Sequence, residues 1–186
     1  MVEALVVTAF PVAFLAVLFV GGELFRRRHI DADGEAPINR TLFYSSKYLI
    51  VVLWIAMVID SWGINVSFFK GPESLKWGAL CVWALGFLVL FAGRFELGTS
   101  FRIGRPKERT RLRVGGLFRI SRNPMYLGVY ATLLASVLRT LNPVLFLLGA
   151  FIVAVHHRIV LAEEEHMRNV FGEEYVDYCR RVRRYL

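Results

Sequence analysis

ALVVTAFPVAFLAVLFVGGELF, residues 4–25, carries a single charged side chain, Glu23. At 1.5 Å per helical residue this stretch reaches about 33 Å, enough for the roughly 30 Å hydrocarbon core of a bilayer. Two further runs repeat the pattern, Leu42–Trp62 and Trp77–Phe95, with Lys47, Asp60 and Arg94 close to their ends. Met125–Leu138 and Val144–Val155 are shorter and reach span length only with their polar ends. Of the 186 residues, 56% are hydrophobic and 14% aromatic, which sets the chain apart from soluble domains. The expected fold is all-α: a polytopic integral membrane protein of about five transmembrane helices, with a cytoplasmic C-terminal cofactor-binding region.

The segments between the runs order this bundle. Residues 1–97 read as three N-terminal transmembrane helices, and 98–186 as a catalytic region of basic loop, helical hairpin and C-terminal helix. The first run has no basic segment before it and ends in Arg26-Arg27-Arg28, the pattern of a retained helix and not of a cleaved signal. The net charge of +8 sits in the loops, which favours an anionic membrane surface over nucleic acid. Basic residues follow the first, third and fifth runs, so the loop-charge rule places the N-terminus outside and the C-terminus in the cytoplasm of a multi-pass cell-membrane protein. Trp62 and Trp77 bracket a short loop at the opposite interface. Asn142-Pro143 reads as an N-cap followed by proline, closing a tight hairpin after Arg139. Gly128/Thr132 and Ala131/Ala135 have the small-residue spacing that permits close helix packing.

The polar chemistry gathers at 115–128, GGLFRISRNPMYLG. Asn123 is a good N-cap residue, and Pro124 suits a first helical position. The free N–H groups of such a helix start, with Arg119 and Arg122 beside them, favour a carboxylate or phosphate. The preceding loop holds Arg102, Arg105, Lys107, Arg109, Arg111 and Arg113. Glu163-Glu164-Glu165 stands at an unfavourable place for acids on a helix and calls for partners, either arginines or a ligand's ammonium or hydroxyls. Phe171, Tyr175, Tyr178 and Val182 share one helical face, and Gly172-Glu173-Glu174 reads as a helix start. No metal set is expected: His156 and His157 point to different faces, and Cys81 and Cys179 are not spaced as ligands or as a disulfide pair. Hydrolase, zincin, P-loop and dinucleotide motifs are missing from the sequence, which leaves a bound cofactor as the source of reactivity.

Arg122-Asn123-Pro124-Met125-Tyr126-Leu127-Gly128, then Asn142-Pro143, Glu163-Glu164 and Phe171-Gly172-Glu173-Glu174-Tyr175-x-x-Tyr178, resembles the isoprenylcysteine carboxyl methyltransferase family, in a prokaryotic (archaeal or bacterial) form. That family carries RHPxYxG, an NP in the next hairpin, and EE followed by FxxEYxxY. The similarity covers roughly Leu112 to Val182. It implies methyl transfer from S-adenosyl-L-methionine, leaving S-adenosyl-L-homocysteine, to the carboxylate of a lipophilic, isoprenylcysteine-like acceptor entering from the bilayer. By family position, Leu112, Arg113, Phe118, Asn123, Pro124, Met125, Tyr126 and Glu163 line the cofactor site, with Glu164 as second choice. Arg158 stands one residue from the register of an arginine that orients the substrate. Asn123 replaces the family histidine.

Three other readings stay open on the sequence. One is a phospholipid or small-lipid methyltransferase, whose amine acceptor must lose a proton. Another is an NADPH-dependent sterol-type membrane reductase, whose 2′-phosphate the basic loop would suit. The last is a membrane protein without catalysis, in which arginines and glutamates pair with each other.

Overall fold

The computed structural model describes residues 1–27, 34–101, 104 and 111–186. Arg28, Asp31 and Asp33 of the first loop, and Arg102, Arg105, Lys107 and Arg109 of the basic loop, lie outside the described residues. Among the described residues every regular element is helical. The helices are α1 (Val2–Arg27), α2 (Arg40–Ser61), α3 (Glu73–Leu97), α4 (Pro124–Thr140), α5 (Pro143–Phe171) and α6 (Glu173–Arg181), with 3₁₀ turns at Gly98–Ser100 and Gly116–Arg119.

Four helices, α1, α2, α3 and α5, are long and apolar enough to cross a bilayer. The all-α, polytopic fold is the one expected, with the fourth apolar run forming the shorter α4. At 17 residues α4 is only about 25 Å long, short of a free-standing span. It nevertheless runs from one end of the bundle to the other. Met125 in its first turn abuts Gly93 near the end of α3, while Arg139 in its last turn bonds Asp60 of α2 and Glu3 of α1. The apolar run 144–155 is the first part of a 29-residue helix. At about 43 Å, α5 exceeds the membrane core by roughly a third of its length, and that third carries the three glutamates.

Close packing explains how a short α4 is held. A Cβ at Gly86 would lie 2.9 Å from the Gly128 carbonyl oxygen, and one at Gly128 would lie 2.9 Å from that of Gly86. Two glycines facing each other bring the α3 and α4 backbones together, so that dispersion, the main attraction available inside lipid, acts at short range. Trp54 Nε1 of α2 donates to Thr132 Oγ1 of α4 at 2.9 Å. Around these contacts Trp54, Trp83, Phe87, Phe14 and Leu53 form the buried centre, with Trp83 and Phe87 ring centroids 4.9 Å apart. Outward faces keep Leu5, Val12, Phe19, Ile55, Leu88 and Phe146 exposed, as lipid contact requires.

The hairpin after α4 follows its expected chemistry. Leu141 takes a left-handed conformation (φ 43°), and the Asn142 side chain accepts hydrogen bonds from the N–H groups of Val144 and Leu145. Its amide also donates to Val66 O, which ties the hairpin to the loop after α2. Arg139, Asp60 and Glu3 form an ion triad at this end, with Arg139 buried and Glu3 partly exposed, so Asp60 is a structural partner and not an isolated interfacial acid. The N-terminus and the glutamate run therefore lie at opposite ends of the bundle.

Candidate active site

Residues adjacent along a helix point about 100° apart, so Glu163, Glu164 and Glu165 diverge into three surroundings. Glu165 is exposed. Glu164 is buried and belongs to a closed network. It accepts from Arg122 Nε and Nη2 at 3.2 Å each, from Arg184 Nε at 3.0 Å and from Asn123 Nδ2 at 3.1 Å. The Arg122 Nη1 group donates to the carbonyls of Cys179 and Val182, and the Arg122 N–H to Arg183 O. Ser121 Oγ and Asn123 Nδ2 both donate to Arg184 O. The network thus fastens the last residues of the chain against the start of α4. Its carboxylate holds the Arg184 guanidinium above the usual arginine range, chiefly through their hydrogen bond.

Two expectations change here. Asn123 does occupy the N-cap position of α4, with Pro124 at the helix start, but its side chain makes no capping bond. The amide is drawn to Glu164 and Arg184 O, which leaves the first-turn N–H groups of α4 without a side-chain acceptor among the described residues. Arg122 is also no reserve of positive charge for a ligand, because Glu164 neutralises it. The arginine partners of the glutamates come from both sides of the chain, Arg122 before α4 and Arg184 in the tail.

Glu163 faces α4. Its Oε2 accepts from Tyr126 Oη at 3.0 Å, in the first turn of that helix. Beside this pair lies an aromatic cluster. Tyr126 and His156 ring centroids are 5.5 Å apart, Tyr130 and His156 6.2 Å, and Tyr130 and Tyr185 5.9 Å. His156 is 3% exposed, yet among the described residues neither ring nitrogen has a hydrogen-bond partner, and the Tyr130 hydroxyl has none. The Tyr185 hydroxyl lies near that of Tyr130 but contacts His157 Nδ1 at 2.9 Å and has no well-formed bond to Tyr130. Burial raises the Tyr185 phenol above its ordinary range.

The floor of this end is built by two turns. Gly116 has φ 56°, and a Cβ there would meet the Glu96 carboxylate at 2.1 Å. That glycine lets both Glu96 oxygens accept from Leu117 N at 3.1 and 2.9 Å. Phe118 is buried, and its carbonyl accepts from Tyr178 Oη of α6 at 2.6 Å. Burial pushes the Tyr178 phenol up to about 12, and Tyr175 is raised for the same reason. The aromatic stripe of the tail is therefore packing, split over two helices because Gly172 (φ 55°) ends α5.

Of the residues expected in the site, the structure brings together Phe118, Asn123, Pro124, Met125, Tyr126, Glu163 and Glu164 around the start of α4. Leu112 is half-buried and Arg113 exposed, both in the irregular segment leading in. Arg158 is exposed, about 140° round α5 from Glu163, and is not brought to the cluster. Tyr130, His156, Arg184 and Tyr185 were not anticipated. Tyr130 follows Tyr126 by one turn and His156 precedes Glu163 by two, so helical spacing alone would have placed Tyr130 on the face of Tyr126 and His156 on the face of Glu163. Arg184 and Tyr185 follow the last helix, where no periodicity operates. Among the described residues no group of histidines, cysteines and acids could hold a metal, and Cys81 and Cys179 are free.

Residues 75–174, more than half of the chain, match the family model described as phospholipid methyltransferase. The chain belongs to that family. The match begins in α3 and ends in α6, so it contains the Gly86–Gly128 contact, the Tyr126–Glu163 pair and His156. It establishes a membrane methyltransferase and is broader than the isoprenylcysteine resemblance, since it leaves the acceptor open. No curated protein matches the chain.

Proposed function

We propose that the protein transfers a methyl group from S-adenosylmethionine to a lipophilic acceptor that reaches the start of α4 from the bilayer. The observation that carries this reading is the Tyr126–Glu163 pair, set beside three buried polar atoms that have no hydrogen-bond partner among the described residues. Buried polar groups are nearly always paired, so such a group of atoms fits a ligand of mixed polar and apolar character. The family match supplies the reaction class.

S-adenosylmethionine, when bound, supplies an electrophilic methyl carbon on a sulfonium. Glu163, oriented by Tyr126, receives its ammonium or ribose hydroxyls. The first-turn N–H groups of α4, around Met125 and Tyr126, receive its carboxylate, since Asn123 does not cap them. Phe118, Pro124 and Leu112 give apolar walls, and Arg113 stands at the polar rim. Glu164 is saturated by Arg122, Arg184 and Asn123, which makes it the residue that positions Asn123-Pro124, and Glu163 the ligand-facing one. The chain's own contribution is to bring two reactants together and to exclude water. The basic loop faces an anionic cytoplasmic leaflet of the cell membrane, and the N-terminus lies outside.

The acceptor has two readings. The RNPMYLG segment favours an isoprenylcysteine-like carboxylate, already ionised at neutral pH. The phospholipid methyltransferase match favours the amine of a phospholipid headgroup. Titration calorimetry of the detergent-purified protein with S-adenosylhomocysteine and, separately, NADPH tests the core of the proposal. Saturable homocysteine-nucleoside binding, weakened about tenfold or more by Glu163→Gln, is the expected result, one charge-assisted hydrogen bond's worth. NADPH binding in its place would refute it.

A further inference from the structure

Arg94 lies in the last turn of α3 and is 7% exposed. Its side chain turns away from the start of α4: the preceding Gly93 meets Met125, whereas Arg94 meets α1. A Cβ at Gly21 of α1 would lie 2.5 Å from Arg94 Nη2 and 3.8 Å from Nε, so the bare glycine backbone gives the guanidinium its place. The Phe25 and Phe101 rings cover it, with centroids 5.3 and 4.6 Å from Cζ. Nη1 donates to Gly98 O at 3.2 Å, but among the described residues Nε has no hydrogen-bond partner and no carboxylate pairs with the charge. The acids nearest in sequence are turned elsewhere. Glu23 follows Gly21 by two residues, roughly 200° round α1, and binds Arg26 and Arg27. Glu96 stands likewise two residues from Arg94 and accepts from Leu117 N. An arginine buried in a span without a counter-charge is costly, and such residues as a rule pair with an anion.

We propose that Arg94 holds the phosphate of an anionic membrane phospholipid, seated between the ends of α1 and α3 as a bound lipid and not as the methyl acceptor. The Nε–H and one Nη2–H of a guanidinium project in parallel and match two oxygens of a phosphate, a pairing that an ammonium cannot make. One guanidinium carries one positive charge, the complement of a phosphodiester. The depth is that of headgroups: α1 and α3 have 26 and 25 residues, so their last turns reach past a roughly 30 Å hydrocarbon core. Leu24 and Phe95, 51% and 67% exposed, offer acyl chains an apolar surface on either helix, and a Cβ at Gly22 would meet nothing within 4 Å. Arg26 and Arg27, with side chains 80% and 74% exposed, share the single carboxylate of Glu23, which leaves net positive charge beside the site. That charge repels a headgroup amine and attracts a phospholipid without one, such as phosphatidylglycerol. The lipid phosphate supplies the missing counter-charge and ties α1 to α3.

The experiment uses the full chain purified in a neutral detergent, with phosphatidylglycerol, phosphatidylcholine and inorganic phosphate as separate probes. Thermal unfolding midpoints are read against the concentration of each, and native mass spectrometry counts the lipid retained. Phosphatidylglycerol should raise the wild-type midpoint saturably, by about 5–10 °C at a hundredfold excess over Kd, with one lipid retained. Arg94→Met, which drops the charge and keeps a long side chain, should lose that shift. The exposed Arg180→Met, with the same change of net charge, should keep it. Gly21→Ala keeps every charge and puts its methyl against the guanidinium, and should weaken lipid binding by about tenfold or more. An Arg94→Met protein with the wild-type shift overturns the inference, as does an equal shift from inorganic phosphate or from phosphatidylcholine. An Arg94 with a purely structural role would move the midpoint alike with and without lipid, and that result overturns it too. Should Arg94→Met fail to fold, Gly21→Ala decides: unchanged lipid affinity overturns the placement. None of these readouts involves S-adenosylmethionine, so their failure leaves the methyl-transfer reading standing.

Discussion

Replacing Glu164 by alanine should release the end of the chain before it unfolds the bundle. The carboxylate takes two bonds from Arg122, one from Arg184 and one from Asn123. Removing one member of a buried ion pair costs about 3–5 kcal/mol, because the remaining charge stays desolvated. The Arg122 side chain is 11% exposed and keeps two backbone carbonyl partners, while Arg184 at 36% can turn to water. Both points favour the lower end of that range, about 3 kcal/mol. Glu164→Gln keeps an acceptor and loses the charge, for about 1–2 kcal/mol, the order of a charged hydrogen bond. Arg184→Ala should cost less than about 1 kcal/mol, as a partly exposed pair does. Unfolding in mixed micelles gives the global values. Limited proteolysis with an arginine-specific protease reads the local effect, with cleavage at Arg183 and Arg184 accelerated first. A Glu164→Ala loss below about 1 kcal/mol, or an Arg184→Ala loss equal to it, would refute the assignment of Arg122 as the buried partner. The double variant Arg122→Met/Glu164→Met should be more stable than Glu164→Met alone, since it removes the stranded charge.

Gly128→Ala should destabilise by about 1–3 kcal/mol, since its methyl would press on the Gly86 carbonyl and part α3 from α4; unfolding of the purified variant checks this. Gly149→Ala, whose Cβ would sit at an ordinary 3.5 Å from Leu53, should instead stabilise α5 by about 0.5–1 kcal/mol in the same assay. Gly116→Ala should disturb the start of α4 through both its positive φ and the Glu96 carboxylate, and Glu96→Ala should relieve only the second effect; S-adenosylhomocysteine affinity of the two variants separates them. Stability should be unaffected by Tyr178 below about pH 10 and fall between about pH 10 and 12. The unfolded phenol ionises in that window while burial keeps the folded one protonated, so the folded state binds more protons there. Tyrosinate absorbance and unfolding midpoints against pH test this, and a midpoint constant across the window would contradict it.

Reading residues in order captured what depends on local chemistry. Apolar runs of about 20 residues located α1, α2 and α3, because a helix must match the bilayer's thickness. Asn142-Pro143 located the second hairpin helix, and its cap forms as expected. Gly172 stops α5 where a helix start was read at the next residue. The same local logic failed at Asn123. Its position is that of an N-cap, yet a buried carboxylate 41 residues away competes for its amide. The failure lies in the electrostatics of a buried charge, which outweigh a surface-type capping bond.

The sequence by itself determined that the chain is a helical membrane protein whose polar chemistry gathers around RNPMYLG and the glutamate run. Hydropathy, caps and helix breakers act over a few residues and are written in order. Only the tertiary structure decided how the glutamates divide their work. Glu163 is turned to Tyr126, Glu164 to Arg122 and Arg184, and His156 is left buried with no hydrogen-bond partner among the described residues. Those outcomes depend on the angle between neighbouring helical residues, on the close approach of α3 and α4 through two glycines, and on where the chain's last residues fold back. None of these is a property of any segment alone.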